Sequence, residues 1–149
     1  MSIKTLNQLV NNLNKILVPN VNVINCYKIL QAYNGDDWKI YKPDTDILKK
    51  YKFIRYNLYN NNNYDLYLLS WYKKMTGFHN HPHNGCLFKI MEGQLYECVK
   101  INNTIKLNIL NQNDIGYKKF NIQHNIISHD LTYSIHLYSP INYYRTCII

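Results

Sequence analysis

The residues best suited to chemistry cluster in Phe78-His79-Asn80-His81-Pro82-His83-Asn84-Gly85-Cys86. On an extended strand side chains alternate with period two, so His79 and His81 point to one face. Their Cα atoms then lie roughly 6.5–7 Å apart, a span that one metal ion can bridge. His83 shares that face but sits about 13 Å from His79 along a straight strand, and Pro82 removes a ladder donor before it. His79 and His81 are therefore candidate metal ligands, His83 is a neighbour, and a third ligand must come from elsewhere in the chain. A second cluster, Ser134-Ile135-His136-Leu137-Tyr138-Ser139-Pro140, alternates in the same way. Thr132, Ser134, His136 and Tyr138 take one face, and Leu131, Tyr133, Ile135 and Leu137 the other. A surface strand with its polar side in water fits this pattern, and so does a barrel strand whose polar face lines a lumen.

Taken in this order, the two segments resemble the type I cysteine dioxygenase family of the cupin superfamily. The first cupin motif has H-x-H followed by a glutamate and then a turn glycine. Here Cys86 takes the glutamate's place, as in type I cysteine dioxygenases, and Gly93 stands at the glycine. Lys73 replaces the glycine that the superfamily pattern carries before its first histidine. Trp71 matches a tryptophan shortly before H-x-H, and Ser134 to Pro140 is similar to the family's S-L-H-L-Y-S-P segment. The resemblance runs from Phe53 to Pro140, with little to follow between Ile101 and Gln123. It implies a mainly β fold, a cupin-type small β-barrel with N-terminal α-helices, and it places Ser134, His136 and Tyr138 in the lumen.

Roles for single residues follow from the same resemblance. His124 is the expected third ligand, because the family's third histidine precedes the S-x-H-L-Y segment by a similar, slightly longer distance; His129 is the other candidate. Ile122 and Ser128 stand where the family has a glycine and an asparagine around that ligand. Arg55 would hold the substrate carboxylate with its planar fork of donors. Phe53 replaces the tyrosine that the family has two residues earlier. Tyr138 would donate a hydrogen bond to oxygen or to the substrate carboxylate, oriented by His136 and Ser134. Cys86 is at the position whose sulfur, in eukaryotic-type members, is joined to that tyrosine as a thioether.

Three imidazoles with no carboxylate leave the ion's charge uncompensated and leave room for an anionic thiolate. Zinc accepts three histidines and a water, and iron(II) fits imidazoles with open positions, so ligand type alone leaves both open. The resemblance implies iron(II), with L-cysteine and O2 converted to cysteine sulfinic acid. Two other readings stay open: a dioxygenase for another small thiol such as 3-mercaptopropionate, which Phe53 favours and Arg55 does not, and a metal-binding cupin without turnover.

Composition narrows the remaining classes. The 149 residues, 46% hydrophobic and 17% charged, suit one globular domain spanning 1–149. No apolar run approaches the roughly 18 residues of a membrane helix. The N-terminus lacks a compact apolar signal region, so a cytoplasmic protein is expected. Cys26, Cys86, Cys98 and Cys147 form no C-x-x-C pair, and reduced thiols are expected. The net charge of +8 invites a nucleic-acid role. Many of the lysines are scattered, however, and the excess of Asn, Ile, Lys and Tyr is what AT-rich codons produce; a monomer acting on a small molecule is expected instead.

The positioning elements read as follows. Ser2 can cap a helix carrying Leu6, Leu9, Leu13, Ile16 and Leu17, which Pro19 ends. A second helix spans about Asn22 to Tyr33, with Val23, Ile24, Tyr27 and Leu30 on one side, giving a helical part over about 2–33. From Tyr51 onward the chain reads as β. Tyr64 to Tyr72 is a strand after an Asn60–Asn63 loop, and Cys86–Ile90 is expected to pair with Leu95–Val99 across a Glu92-Gly93 turn. Thr104 to Leu110 follows a turn at Asn102-Asn103.

Overall fold

A computed structural model describes residues 1–142. Helix α1 covers Leu6–Ile16 and buries Leu9 and Leu13. Its cap is Thr5, not Ser2: the Thr5 hydroxyl accepts from the Gln8 amide while the Gln8 side chain accepts from the Thr5 amide. Ile3 bridges Tyr33 in extended backbone, so the helix cannot start at Ser2. The second helical segment is split. A 3-10 turn at Val23–Cys26, capped by Asn22, leads into α2 at Tyr27–Ala32. The change of pitch rotates the buried side to Val23, Cys26, Ile29 and Leu30, and leaves Ile24 and Tyr27 exposed.

Helical structure also extends past residue 33. A 3-10 turn covers Asp37–Tyr41, and α3 covers Thr45–Tyr51. Asp44 caps α3, and Lys52 closes it in the left-handed conformation.

Eight strands follow: β1 Phe53–Asn60, β2 Asp65–Trp71, β3 Cys86–Glu92, β4 Gln94–Ile101, β5 Thr104–Asn111, β6 Ile115–Lys118, β7 Gln123–Ile127 and β8 Thr132–Tyr138. They form a five-stranded sheet in the order β1-β2-β8-β3-β6 and a three-stranded sheet in the order β5-β4-β7. The Asn60–Asn63 loop is the turn between β1 and β2, where the Asn61 carboxamide accepts from the Asn63 and Tyr64 amides. The expected β3–β4 hairpin does not form: β3 pairs with β6 and β8, and β4 with β5 and β7. Gly93 is the corner at which the chain leaves one sheet for the other. It needs a φ of +89°, and a side chain there would press on the Leu131 carbonyl and on Thr132.

The larger sheet has two apolar faces. Leu66, Leu68, Leu87, Ile135 and Leu137 pack with Leu9, Leu13, Leu30 and Leu48 from the helical layer. Leu69, Trp71, Phe88 and Ile90 turn the other way and meet Leu95 and Ile126 of the smaller sheet. Both faces of β8 are thus buried, which is why all seven of its residues are inaccessible. Lys89 reaches from β3 to the C-terminal carbonyls of α2, donating to Gln31 and Tyr33, and ties the helices to the sheet without a carboxylate. These two layers and the two-sheet barrel are a cupin architecture with a helical N-terminal part. Cys147, whose reduced state was expected, lies outside the described residues.

Replacing Gly93 by Ala should destabilise the protein by about 2 kcal/mol or more, because both the positive φ and the contact with Leu131 and Thr132 oppose a Cβ. Urea denaturation of the two proteins measures it.

Candidate metal centre and cavity

The H-x-H segment is extended but irregular, and β7 holds it. The Ser128 amide donates to the Lys74 carbonyl, the Thr76 amide to Ile126, and the Gly77 amide to the Asn125 side chain. His79 and His124 then exchange backbone hydrogen bonds as an isolated antiparallel bridge, which sets their side chains directly opposite each other on one face. Period two carries His81 to the same side.

Three ring nitrogens meet there. His81 Nε2 lies 2.9 Å from His124 Nε2, which lies 3.1 Å from His79 Nε2. The proton positions follow from the outer contacts. His79 Nδ1 is 3.0 Å from the Gly77 carbonyl, His81 Nδ1 is 3.0 Å from the Ile122 carbonyl, and His124 Nδ1 is 2.7 Å from Glu97 Oε2. A carbonyl only accepts, and an ionised carboxylate only accepts, so each imidazole donates from Nδ1 and leaves Nε2 bare. Three lone pairs then face one another, an arrangement that a shared cation satisfies. His129 is elsewhere, packed on Tyr96, and His83 is exposed beside Phe120. The geometry groups His124, and not His129, with the H-x-H pair.

Charge is controlled by burial. Burial, and then the neighbouring His124, push His79 down to about 4. The same causes push His81 down to about 2. Burial also lowers His124, against the pull of Glu97. Burial alone would raise Glu97, but the His124 hydrogen bond and the Lys118 ammonium outweigh it and hold the carboxyl at about 2. Lys118 Nζ stands 3.1 Å from Glu97 Oε2, and Asn108 donates to Oε1.

Sequence reasoning missed Glu97. The signal was present: Leu95, Glu97 and Val99 are the inward positions of β4, and Glu97 is the one charge among them. Because Val99 pairs with His124, Glu97 lies on the diagonal to that ligand.

Against His79 and His124 lies a cavity of about 240 Å³. Arg55 and Phe53 enter it from β1, Leu69 and Trp71 from β2, His136 and Tyr138 from β8, with Lys74 and Thr76 from the connecting segment. On β8 a directional chain runs toward the cavity. The Trp71 indole donates to Ser134 Oγ at 2.9 Å, and Ser134 Oγ is 2.8 Å from His136 Nε2. With the serine proton on Nε2, the imidazole proton sits on Nδ1, 3.2 Å from the Tyr138 hydroxyl, which then accepts and keeps its own proton to donate; the other tautomer reverses both bonds. Burial keeps His136 neutral, well below its usual range, and its ring is stacked on Phe88 at 4.8 Å. Cys86 is the direct cross-strand partner of Tyr138, with its sulfur 3.9 Å from His136 Nδ1. Burial raises its thiol well above the ordinary range, opposed in part by a hydrogen bond with Tyr138.

Two outcomes follow. Glu97→Gln keeps the shape but removes the charge that holds the His124 proton, and should weaken metal binding about 10- to 100-fold in a chelator competition. In the metal-free protein, His79 and His81 stay neutral when folded but take protons below about pH 6.5 when unfolded. The unfolded state then binds more protons. Thermal stability of the chelated protein should accordingly be level above pH 6.5, and fall as pH drops from there toward 4; a flat melting temperature between pH 7.5 and 5 would contradict the buried neutral assignment.

A protein-family model described as cysteine dioxygenase type I matches residues 1–148. No curated protein matches the chain. KdgF from Halomonas sp. is similar in structure with a TM-score of 0.55 and 12% identity, over 67% of this chain and 86% of that one. A Klebsiella pneumoniae protein with a double-stranded β-helix domain gives 0.52 and 17%, over 68% and 84%. A cupin 2 conserved barrel domain protein from Leptotrichia buccalis gives 0.55 and 15%, over 68% and 45%. At such identities these likenesses speak to the fold, a cupin barrel.

Proposed function

The chain belongs to the cysteine dioxygenase type I family, and on that footing we propose that it is an iron(II)-dependent dioxygenase converting L-cysteine and O2 to cysteine sulfinic acid. The observation that carries this reading is the set of three bare Nε2 atoms, with His79 and His124 lining a cavity that Arg55 and Tyr138 share. His79, His81 and His124 would hold the ion. Neutral imidazoles suit iron(II) and zinc alike, and it is the family that favours iron(II) here.

Iron(II), when bound, supplies the electron transfer that lets O2 react with a thiolate. The reaction balances without a further reductant: both oxygen atoms go to sulfur, which loses the four electrons that O2 gains. The remaining work belongs to the chain. Arg55 would bind the substrate carboxylate and so fix the sulfur's distance from the three histidines. Leu69, Trp71 and Ile126 exclude water from the walls. Tyr138, its proton directed by the Trp71–Ser134–His136 chain, would donate to the developing charge on oxygen. The in-register Cys86–Tyr138 pair supports formation of the family's thioether, with two hydrogens lost to an oxidant such as O2.

Oxygen uptake by the iron-loaded protein with cysteine, with cysteine sulfinic acid identified as product, tests the reading; uptake only with another thiol, such as 3-mercaptopropionate, would move the substrate, and none with any thiol would leave a metal-binding cupin. Arg55→Gln should raise KM for cysteine about tenfold or more while changing kcat little. Intact mass lower by two hydrogens would report the thioether.

A further inference from the structure

Among the described residues each sheet ends in two edges, and three of these four are blunted against the addition of a further strand. On β1 the register shifts between Asn57 and Tyr59, which bends the edge. β6 is only four residues long. Along β7 lies the segment carrying Thr76 and His79, bonded to it through Ile126 and His124. The fourth edge has none of these devices. β5 runs for eight residues without a proline, and its register with β4 is unbroken from Gln94–Asn111 to Ile101–Thr104.

The bonding groups of that edge face outward at alternate residues. Asn111 gives both of its backbone groups to Asp114 and not to β4: its amide donates to Oδ2 at 2.7 Å, and its carbonyl accepts from the Asp114 amide at 2.9 Å. Period two then turns the amides and carbonyls of Ile105, Leu107 and Ile109 to the same open side. None of these has a backbone partner among the described residues. Their side chains are exposed too, at 59%, 59% and 51%. Cys98 and Tyr96 stand beside Leu107 and Ile109, so the apolar surface continues from the edge onto β4.

We propose that this edge pairs with the same edge of a second copy of the chain, in a two-fold dimer that joins two three-stranded sheets into one. A two-fold axis through Leu107 sets Leu107 opposite the partner's Leu107 and Ile105 opposite the partner's Ile109. These pairs exchange about six backbone hydrogen bonds and place apolar side chains together on one face. On the other face Lys106 meets the partner's Asn108, and no like charges oppose each other. Moving the axis one residue, to Lys106 or Asn108, sets Ile109 against Asn103 or Ile105 against Asn111, and in the first case lysine against lysine. The strand is thus complementary to itself, which singles out a second copy over an unrelated strand. One edge buries less than a standard interface, so the dissociation constant is on the order of micromolar. No residue of β5 lines the cavity, and the dimer leaves that site open. It takes the place of the monomer expected from the sequence.

Sedimentation equilibrium of the full chain from about 1 to about 200 µM should show the monomer mass giving way to twice that mass. Leu107→Lys brings two ammonium groups face to face on the axis and should weaken association about tenfold or more, with metal content as in the wild type. Ile105→Lys alone should weaken it too, and adding Ile109→Glu should restore it to within about threefold, because each new cation then faces a new carboxylate across the junction. That rescue depends on the register, so a loss of folding does not mimic it. A chain that stays monomeric throughout would overturn the proposal and leave the edge to a strand of another protein. A dimer indifferent to Leu107→Lys, or a double variant no tighter than the single one, would overturn it by moving the contact to a different face.

Discussion

Three unprotonated nitrogens gathered in a buried pocket, with His124 Nε2 about 3 Å from each of the other two, repel one another, and the rest of the site exists to hold them there. Each imidazole is fixed by a different acceptor behind it: the Gly77 carbonyl, the Ile122 carbonyl and the Glu97 carboxylate. Two of these are backbone groups on either side of the ligands, so the same backbone geometry that builds the barrel sets the tautomers. The third is a buried charge, costly without a partner, and Lys118 and Asn108 supply the partners. The metal site is thus built into the smaller sheet and the segment laid along it, where side-chain position is set by strand register.

The opposite wall has another logic. The polar face of β8 is buried as completely as its apolar face, and a buried polar face must be saturated with hydrogen bonds. Trp71, Ser134, His136 and Tyr138 do this for one another in one connected chain. Phe88 stacks on His136 from the neighbouring strand, and Gly116 on the strand beyond has no side chain because one would strike the Phe88 ring. A proton-ordering chain is therefore kept in place by packing two strands away. The helical layer on the far side of the sheet, where Leu66, Leu68 and Leu137 meet α1 and α2, supplies the apolar burial that lets the lumen side be polar.

How much of this could be read from the sequence depends on range. The H-x-H alternation and the Ser134–Tyr138 alternation are local, and period two sufficed to group their side chains. The fold class followed from the family resemblance that these two segments carry. The hairpin expected at Glu92-Gly93 did not form, because a glycine with positive φ serves a sheet-crossing corner as readily as a turn, and only the pairing of β3 with β8 distinguishes them. Helix α3 went unread although Asp44, Asp46 and the Lys49-Lys50 pair are ordinary cap and dipole signals; its seven residues carry one buried side chain, Leu48, so no stripe announces it. Glu97 was illegible for a third reason. An inward glutamate is interpretable only once its partners are known, and His124 and Lys118 lie 27 and 21 residues away on other strands.

The distribution of charge explains why the ligands contain no carboxylate while one stands directly behind them. A carboxylate among the three ligands would cancel part of the charge of an ion held there. Glu97, separated from the ion by the His124 ring and matched by Lys118, instead sharpens the donor power of one imidazole without neutralising the cavity. Among the described residues the cavity lining carries Arg55 and Lys74 and no acidic side chain. A lining of that sign attracts anions, and placing the positive charge on the cavity side while the one buried carboxylate stays behind the histidines keeps the two from cancelling.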